Sequence, residues 1–149
     1  MITVKRRFEK MNSDFCVAVH ALVYLNRKAE VVSSEELAKN ICTHPARVRK
    51  VLSKLKRTGL VATKEGIEGG YRFVGNPESI TLDEISKALD VRFVESSWHS
   101  GDSDMDCLIA SGIAKIMDGI YEDLDKLCKD HLKTVTIQTI DDEIFRKNK

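Results

Sequence analysis

Across residues 44–57, HPARVRKVLSKLKR, the apolar side chains Val48, Val51, Leu52 and Leu55 fall at i, i+3, i+4 and i+7, the spacing of a helix with one buried stripe. Upstream, SDFCVAVHALVYLNRK predicts a helix opening on Ser13 as N-cap, with Phe15, Val19, Leu22 and Val23 on its main buried side. Between the two, Ser33 and Glu36 are spaced as a capping box that starts a short helix running through Ile41. Cys42, Thr43 and His44 then make a tight connection, with Thr43 or His44 as cap and Pro45 near the first helical position. Two short helices joined by such a turn form a helix-turn-helix. Gly59 ends the second helix, and residues 60–63 and 71–74 read as short strands around the glycine-rich KEGIEGG, a hairpin tip. Gly69 and Gly70 suit either a close approach to a phosphate or minor groove, or simple turn geometry.

Asn76-Pro77 marks a boundary, and Thr81 with Glu84 forms a second capping box opening a helix to Leu89. Residues 91–94 read as a short strand or an extended tail, followed by the polar loop SSWHSGDSDMD. The longest periodic segment covers residues 107 to about 132. There Ile109, Ile113, Ile116, Ile120, Leu124 and Leu127 are spaced 4, 3, 4, 4 and 3 apart, a coiled-coil-like seam suited to dimerisation. Its alternative is burial against the first helix of the same chain. Val135-Thr136-Ile137 and IDDEIF make a short terminal helix. The expected fold is mainly α with a small β-hairpin, a winged helix-turn-helix domain plus a long dimerisation helix. Its divisions are an N-terminal extension (1–12), the winged helix-turn-helix (13–75), a connecting helix and loop (76–106), and the dimerisation and C-terminal helices (107–149).

Charge sharpens this picture. The net charge is only +1, yet residues 1–74 hold 15 Lys and Arg against 7 Asp and Glu, and residues 75–149 hold 9 against 16. A basic half fits nucleic acid, where cations gain affinity by displacing phosphate counterions. From Pro45 through Lys64 no acidic residue occurs. The basic N-terminal segment MITVKRRFEK is an extension, with Met11 a possible start, or an arm reaching a phosphate backbone. No apolar run approaches a membrane span of roughly 18–20 residues, and the start lacks a secretory signal. A soluble cytoplasmic protein with no membrane partner is expected.

The four cysteines, Cys16, Cys42, Cys107 and Cys128, form no CxxC pair, so reduced thiols are the default rather than a zinc ribbon or disulfide scaffold. Cys16 and His20 stand four apart on a helix, a spacing compatible with a metal pair, with structural filler the preferred reading. The loop with His99, Asp102, Asp104 and Asp106 lacks the order of a calcium site. No GxGxxG, P-loop, HExxH or nucleophile elbow is present, and an enzyme is not expected.

FCVAVHALVYL, SSEELAKNICTHPARVRKVLSKLKRTGLV, EGGYRF, ITLDEISKAL, a helix opening at Cys107 and the late LKTVTIQTI together resemble the Rrf2 family of bacterial winged-helix regulators. The resemblance covers nearly everything from Met11 to the C-terminal tail. It implies a homodimer that binds double-stranded operator DNA, usually as a repressor, and responds to a redox or metabolic signal. Iron–sulfur members place three cysteines before the dimer helix, whereas residues 93–107 here contain Cys107 alone. No three-cysteine cluster and no cofactor is therefore expected.

The candidate DNA contacts are Thr43, His44, Arg47, Arg49 and Lys50, near the start of the second helix where base edges are read. Lys54, Lys56 and Arg57 lie farther along, near phosphate or solvent, and Lys64 and Arg72 steady the wing. Cys42, before the recognition helix, and Cys107, at the start of the dimer helix, are candidate redox-sensing thiols, because a helix N-terminus stabilises a thiolate. Structural cysteines are the alternative. The rival functions are a protein-binding winged helix, or a regulator answering to a small molecule or a metal.

Overall fold

The structure, a computed structural model, describes the backbone of residues 2–146 and the side chains of residues 12–146. The elements are α1 (Ile2–Lys28), α2 (Ser34–Ile41), α3 (Pro45–Arg57), β1 (Val61–Lys64), β2 (Gly70–Phe73), α4 (Leu82–Ala88), α5 (Leu108–Leu132) and α6 (Ile137–Arg146). Among the described residues this is six helices and a two-stranded antiparallel sheet, in which Val61 pairs with Phe73 and Lys64 with Gly70.

The buried stripe of α3 is Val48, Val51, Leu52 and Leu55, which packs with Ala18, Ala21, Leu22 and Leu25 of α1 and Leu37 of α2. Each fully buried leucine contributes about 1.5–3 kcal/mol. Ile85 of α4 and Ile137 of α6 join the same cluster, so the core that supports α3 continues beyond the wing.

The helix expected to open at Ser13 runs instead from Ile2. Nothing in ITVKRRFEKM breaks a helix, and Ser13 lies mid-helix, where its hydroxyl meets Arg47. The side chains of residues 1–11, where an arm was considered, lie outside the described residues. α1 is also rotated from expectation: Leu22 and Val23 are buried, but Ala18, Ala21 and Leu25 complete the core face, and Phe15 and Val19 are only partly buried.

Both expected capping boxes are half formed. Ser33 Oγ accepts from Glu36 N at 3.1 Å and Thr81 Oγ1 from Glu84 N at 3.2 Å, as N-caps do. The Glu36 carboxylate turns away to Tyr24 Oη, 2.8 Å, and Lys28 Nζ, 3.7 Å. Gly70 packs against the backbone of Val32, where a Cβ would overlap the carbonyl, and Tyr71 and Val32 exchange backbone hydrogen bonds at 2.8 Å. The close approach considered for Gly70 is thus used inside the fold.

Residues 91–94 form no strand. The N–H groups of Phe93 and Val94 donate to Asp125 Oδ1 of α5, at 2.6 and 3.1 Å. Asp125 also pairs with Lys129 at 2.9 Å. Burial pushes its carboxyl pKa up, but Lys129 and the two N–H groups outweigh this and hold it below the usual value. The polar loop is tied to α5 as well: Asp102 N donates to Ala110 O at 3.0 Å, and His99 Nε2 meets Asp118 Oδ1 at 2.7 Å. Gly101, at φ +71°, lies too close to Ala110 for any Cβ. The docking of α5 is largely polar, and its apolar stripe faces outward. Ile109 is 76% exposed, Ile116 62% and Leu127 64%, with Ile120 and Leu124 also exposed and Ile113 half-buried.

Candidate nucleic-acid interface

The turn into α3 is built from an unusual residue. Cys42 is the C-cap of α2 at φ 63°, ψ 50°, the left-handed region, where a side chain costs about 1–2 kcal/mol and glycine is the common choice. The turn nevertheless closes, with Cys42 N donating to Ala38 O and Thr43 N to the same carbonyl at 3.0 Å. His44 is the N-cap of α3 without a side-chain cap bond, and Pro45 takes the first position, where its missing N–H is no loss. Cys42 is exposed and sits at the carbonyl end of α2, with Sγ 3.8 Å from Lys39 O. It lies in the turn that precedes α3, as expected from sequence, and faces the carbonyl end of α2 rather than the N–H groups of α3.

With Val48, Val51, Leu52 and Leu55 inward, Ala46, Lys50, Ser53 and Arg57 fall on the opposite face of α3, and all four are exposed. Lys50 and Arg57 form no ion pair among the described residues. Arg47 and Arg49 lie on the two flanks and are both engaged. Arg47 Nε donates to Asp14 Oδ1 at 2.9 Å, its Nη2 lies 2.9 Å from the same oxygen, and Nη2 also donates to Ser13 Oγ. Arg49 Nη1 donates to Ser34 Oγ at 3.2 Å and lies 3.7 Å from Glu35 Oε1. Thr43 is half-buried and His44 exposed; Lys54 is half-buried, and Lys64 and Arg72 stand exposed on the wing. The tip of the wing presents Ile67, fully exposed between Gly66 and Glu68. Residues 44–57 were read for their charges. The helical wheel gives the outward positions of Ala46, Ser53 and Arg57 too, and it places Arg47 and Arg49 off that face.

The Rrf2 family profile, described as that of an iron-dependent transcriptional regulator, matches residues 11–143. The chain belongs to the Rrf2 family. It is a transcriptional regulator of that family, in which DNA binding is implied. YwnA of Bacillus subtilis, named as an HTH-type transcriptional regulator, is 24% identical over 135 residues, covering 91% of this chain and 99% of the relative. The fold is that of a Lactobacillus plantarum transcriptional regulator structure, at TM-score 0.77 and 22% identity, with 88% of this chain and 89% of that one covered. CymR, the global cysteine regulator of B. subtilis, has the same fold at TM-score 0.63 and 17% identity, with 87% and 94% covered.

The donors of this regulator do not fit the family's iron. Among the described residues, no group of three or more His, Cys, Asp or Glu converges in a way that could hold a metal. Cys107 is the N-cap of α5 and exposed. The N–H groups of Ala110 and Ile109 draw its pKa below the ordinary thiol value, although no cap hydrogen bond is formed. Cys16 and His20 stay separate from any third ligand; His20 Nε2 lies 2.7 Å from Asn40 Oδ1. Both line a groove of about 790 Å³ between α1 and α6, floored by Phe15, Val19 and Val23 and closed by Phe145. Arg27 stacks on the Phe145 ring at 3.5 Å and pairs with Asp141 at 3.2 Å. Among the described residues no helix is long and apolar enough to cross a membrane.

Proposed function

We propose that the chain is a homodimeric, operator-binding repressor whose α3 enters the major groove. The observation that carries this reading is the outward face of α3: exposed Lys50 and Arg57 behind His44, on a helix held by a full apolar stripe and flanked by the wing. Helix-turn-helix proteins read base edges from the N-terminal part of the second helix. In this reading Thr43, His44 and Lys50 read base edges and Lys54, Lys64 and Arg72 meet phosphates, while Arg49 would first leave Ser34 and Glu35. Division of the chain into a reading unit (13–75), a connector (76–106) and a dimer element (107–149), with residues 1–12 an extension, is part of the same reading. The second copy covers the stripe of Ile109, Ile113, Ile116, Ile120, Leu124 and Leu127, because six large aliphatics left in water are unfavourable. The site of action is the cytoplasm.

The test is fluorescence anisotropy of the full chain on random-sequence duplexes and on the duplex they yield after selection. Specific, salt-sensitive binding is expected. Lys50→Ala should weaken the selected duplex by about 1–3 kcal/mol and make the salt dependence shallower. Binding that ignores both salt and sequence would leave the protein-binding reading in its place.

For the signal, the reading is thiol oxidation. Hydrogen peroxide takes two electrons from the Cys107 thiolate to give a sulfenic acid and hydroxide, and a second thiol, with Cys42 the candidate, condenses with the sulfenic acid to close a disulfide and release water. Cys107→Ser or Cys42→Ser should abolish the oxidant-dependent loss of DNA binding. Oxidant sensitivity unchanged from wild type in both variants would reject it.

A further inference from the structure

Among the described residues, Arg47 is the one cation of α3 whose partner lies on α1. Two of its nitrogens, Nε and Nη2, converge on Asp14 Oδ1, each at 2.9 Å, and Nη2 adds Ser13 Oγ. The Asp14 side chain is only 13% exposed. Charge-assisted, two-pronged guanidinium contacts fix geometry as well as proximity. Withdrawing Arg47 to a base would leave a buried carboxylate uncompensated, which is strongly unfavourable. The opposite flank of α3 is held to α2 by the weaker, solvent-facing Arg49 contacts. The recognition helix is therefore braced on both sides, more firmly on the α1 side.

We propose that Arg47 is a positioning residue for DNA docking: the Asp14–Arg47–Ser13 link sets the inclination of α3 on α1, and Arg47 remains on Asp14 while the outward face meets the duplex. The proposal rests on the DNA-reading function above and deepens it. The placement of base-contacting side chains along a groove depends on helix inclination, so a brace on the flank governs the preference for the right sequence. A base reader at the same position would govern one base pair.

The experiment uses the full-length protein, a duplex it selects from a random library, every single-base variant of that duplex, and an unrelated duplex. Arg47→Ala and Asp14→Asn should each weaken the selected duplex about tenfold while binding to the unrelated duplex stays within about twofold. The loss should be spread evenly over the base variants. The double variant should be no weaker than either single one, as expected for two halves of one link. Arg47→Lys should recover part of the loss. Ser13→Ala, which removes the hydroxyl that Arg47 Nη2 meets, gives a smaller loss of the same pattern and serves if a larger change unfolds the chain, which circular dichroism would reveal. The proposal is overturned if Asp14→Asn binds the selected duplex as wild type does, or if Arg47→Ala loses preference at one base pair alone. If the wild-type chain selects no duplex, the DNA-binding reading itself falls and takes this one with it.

Discussion

Replacing Asp125 by asparagine tests how α5 is attached to the rest of the molecule. Asp125 is buried, 6% exposed, and one of its oxygens accepts from both Phe93 N and Val94 N while the other meets Lys129. Asparagine keeps the shape and one carbonyl oxygen, so the backbone donors retain an acceptor. What is lost is the charge, and the amide group then faces the Lys129 ammonium. Hydrogen bonds to a charged group contribute about 1.5–3 kcal/mol, so a loss of about 2 kcal/mol is expected. The pH dependence follows from the direction of the shift. The folded-state pKa lies below the unfolded value of about 3.9, so the contribution is complete above that value and fades as pH falls through the folded pKa. Urea unfolding at fixed protein concentration, followed by far-ultraviolet circular dichroism from pH 7 to pH 3, measures both. The Asp125→Asn curve should start lower and fall less steeply into acid. A variant within about 0.5 kcal/mol of wild type at pH 7, with an unchanged acid limb, would refute the reasoning.

Cys42→Gly should stabilise the chain. It removes about 1–2 kcal/mol of left-handed strain against about 0.5–1 kcal/mol of extra unfolded-state entropy, and a lower urea midpoint would count against it. Ile116→Glu should raise the dimer dissociation constant roughly a hundredfold or more, since a symmetric interface loses the contact twice; an unchanged sedimentation profile on dilution would exclude α5 as the interface. Cys107 should be alkylated by iodoacetamide faster than Cys16, which is also exposed, at pH 7, because a lowered pKa gives more thiolate there. Equal rates in peptide mass spectrometry would contradict that.

The α3 stripe, the wing and the α5 seam were legible in sequence because each is a local pattern: a period of 3.6, a glycine-rich tip, a run of isoleucines. The start of α1 was not, because Ser13 has the chemistry of an N-cap and only the uninterrupted helical stretch before it argues otherwise. The left-handed residue of the turn was hidden for a related reason. No glycine stands between α2 and α3, and a three-residue connection does not reveal which residue turns. The partner of Arg47 lies 33 residues away on another helix, and no local spacing encodes it. Charge alone therefore gives no sign that this guanidinium is paired inside the fold.

That pairing bears on where a signal could act on α3. Ser13 and Asp14 hold Arg47, while the next two residues, Phe15 and Cys16, line the groove beside α6. One turn of α1 thus carries both the contacts to Arg47 of α3 and part of the groove wall. Asp125 anchors α5 to residues 93 and 94, and the Phe93 ring packs edge-on to Phe15 at 5.2 Å. A chain of direct contacts therefore runs from α5 through Phe93 and Phe15 to the turn of α1 that grips Arg47. Packed side chains of this kind transmit displacement because the core is dense and has little slack. Phe93→Leu measures whether these contacts couple α5 to α3. If α5 governs DNA binding through this route, that variant should change selected-duplex affinity in the wild-type background and have no further effect when Arg47→Ala has already removed the brace.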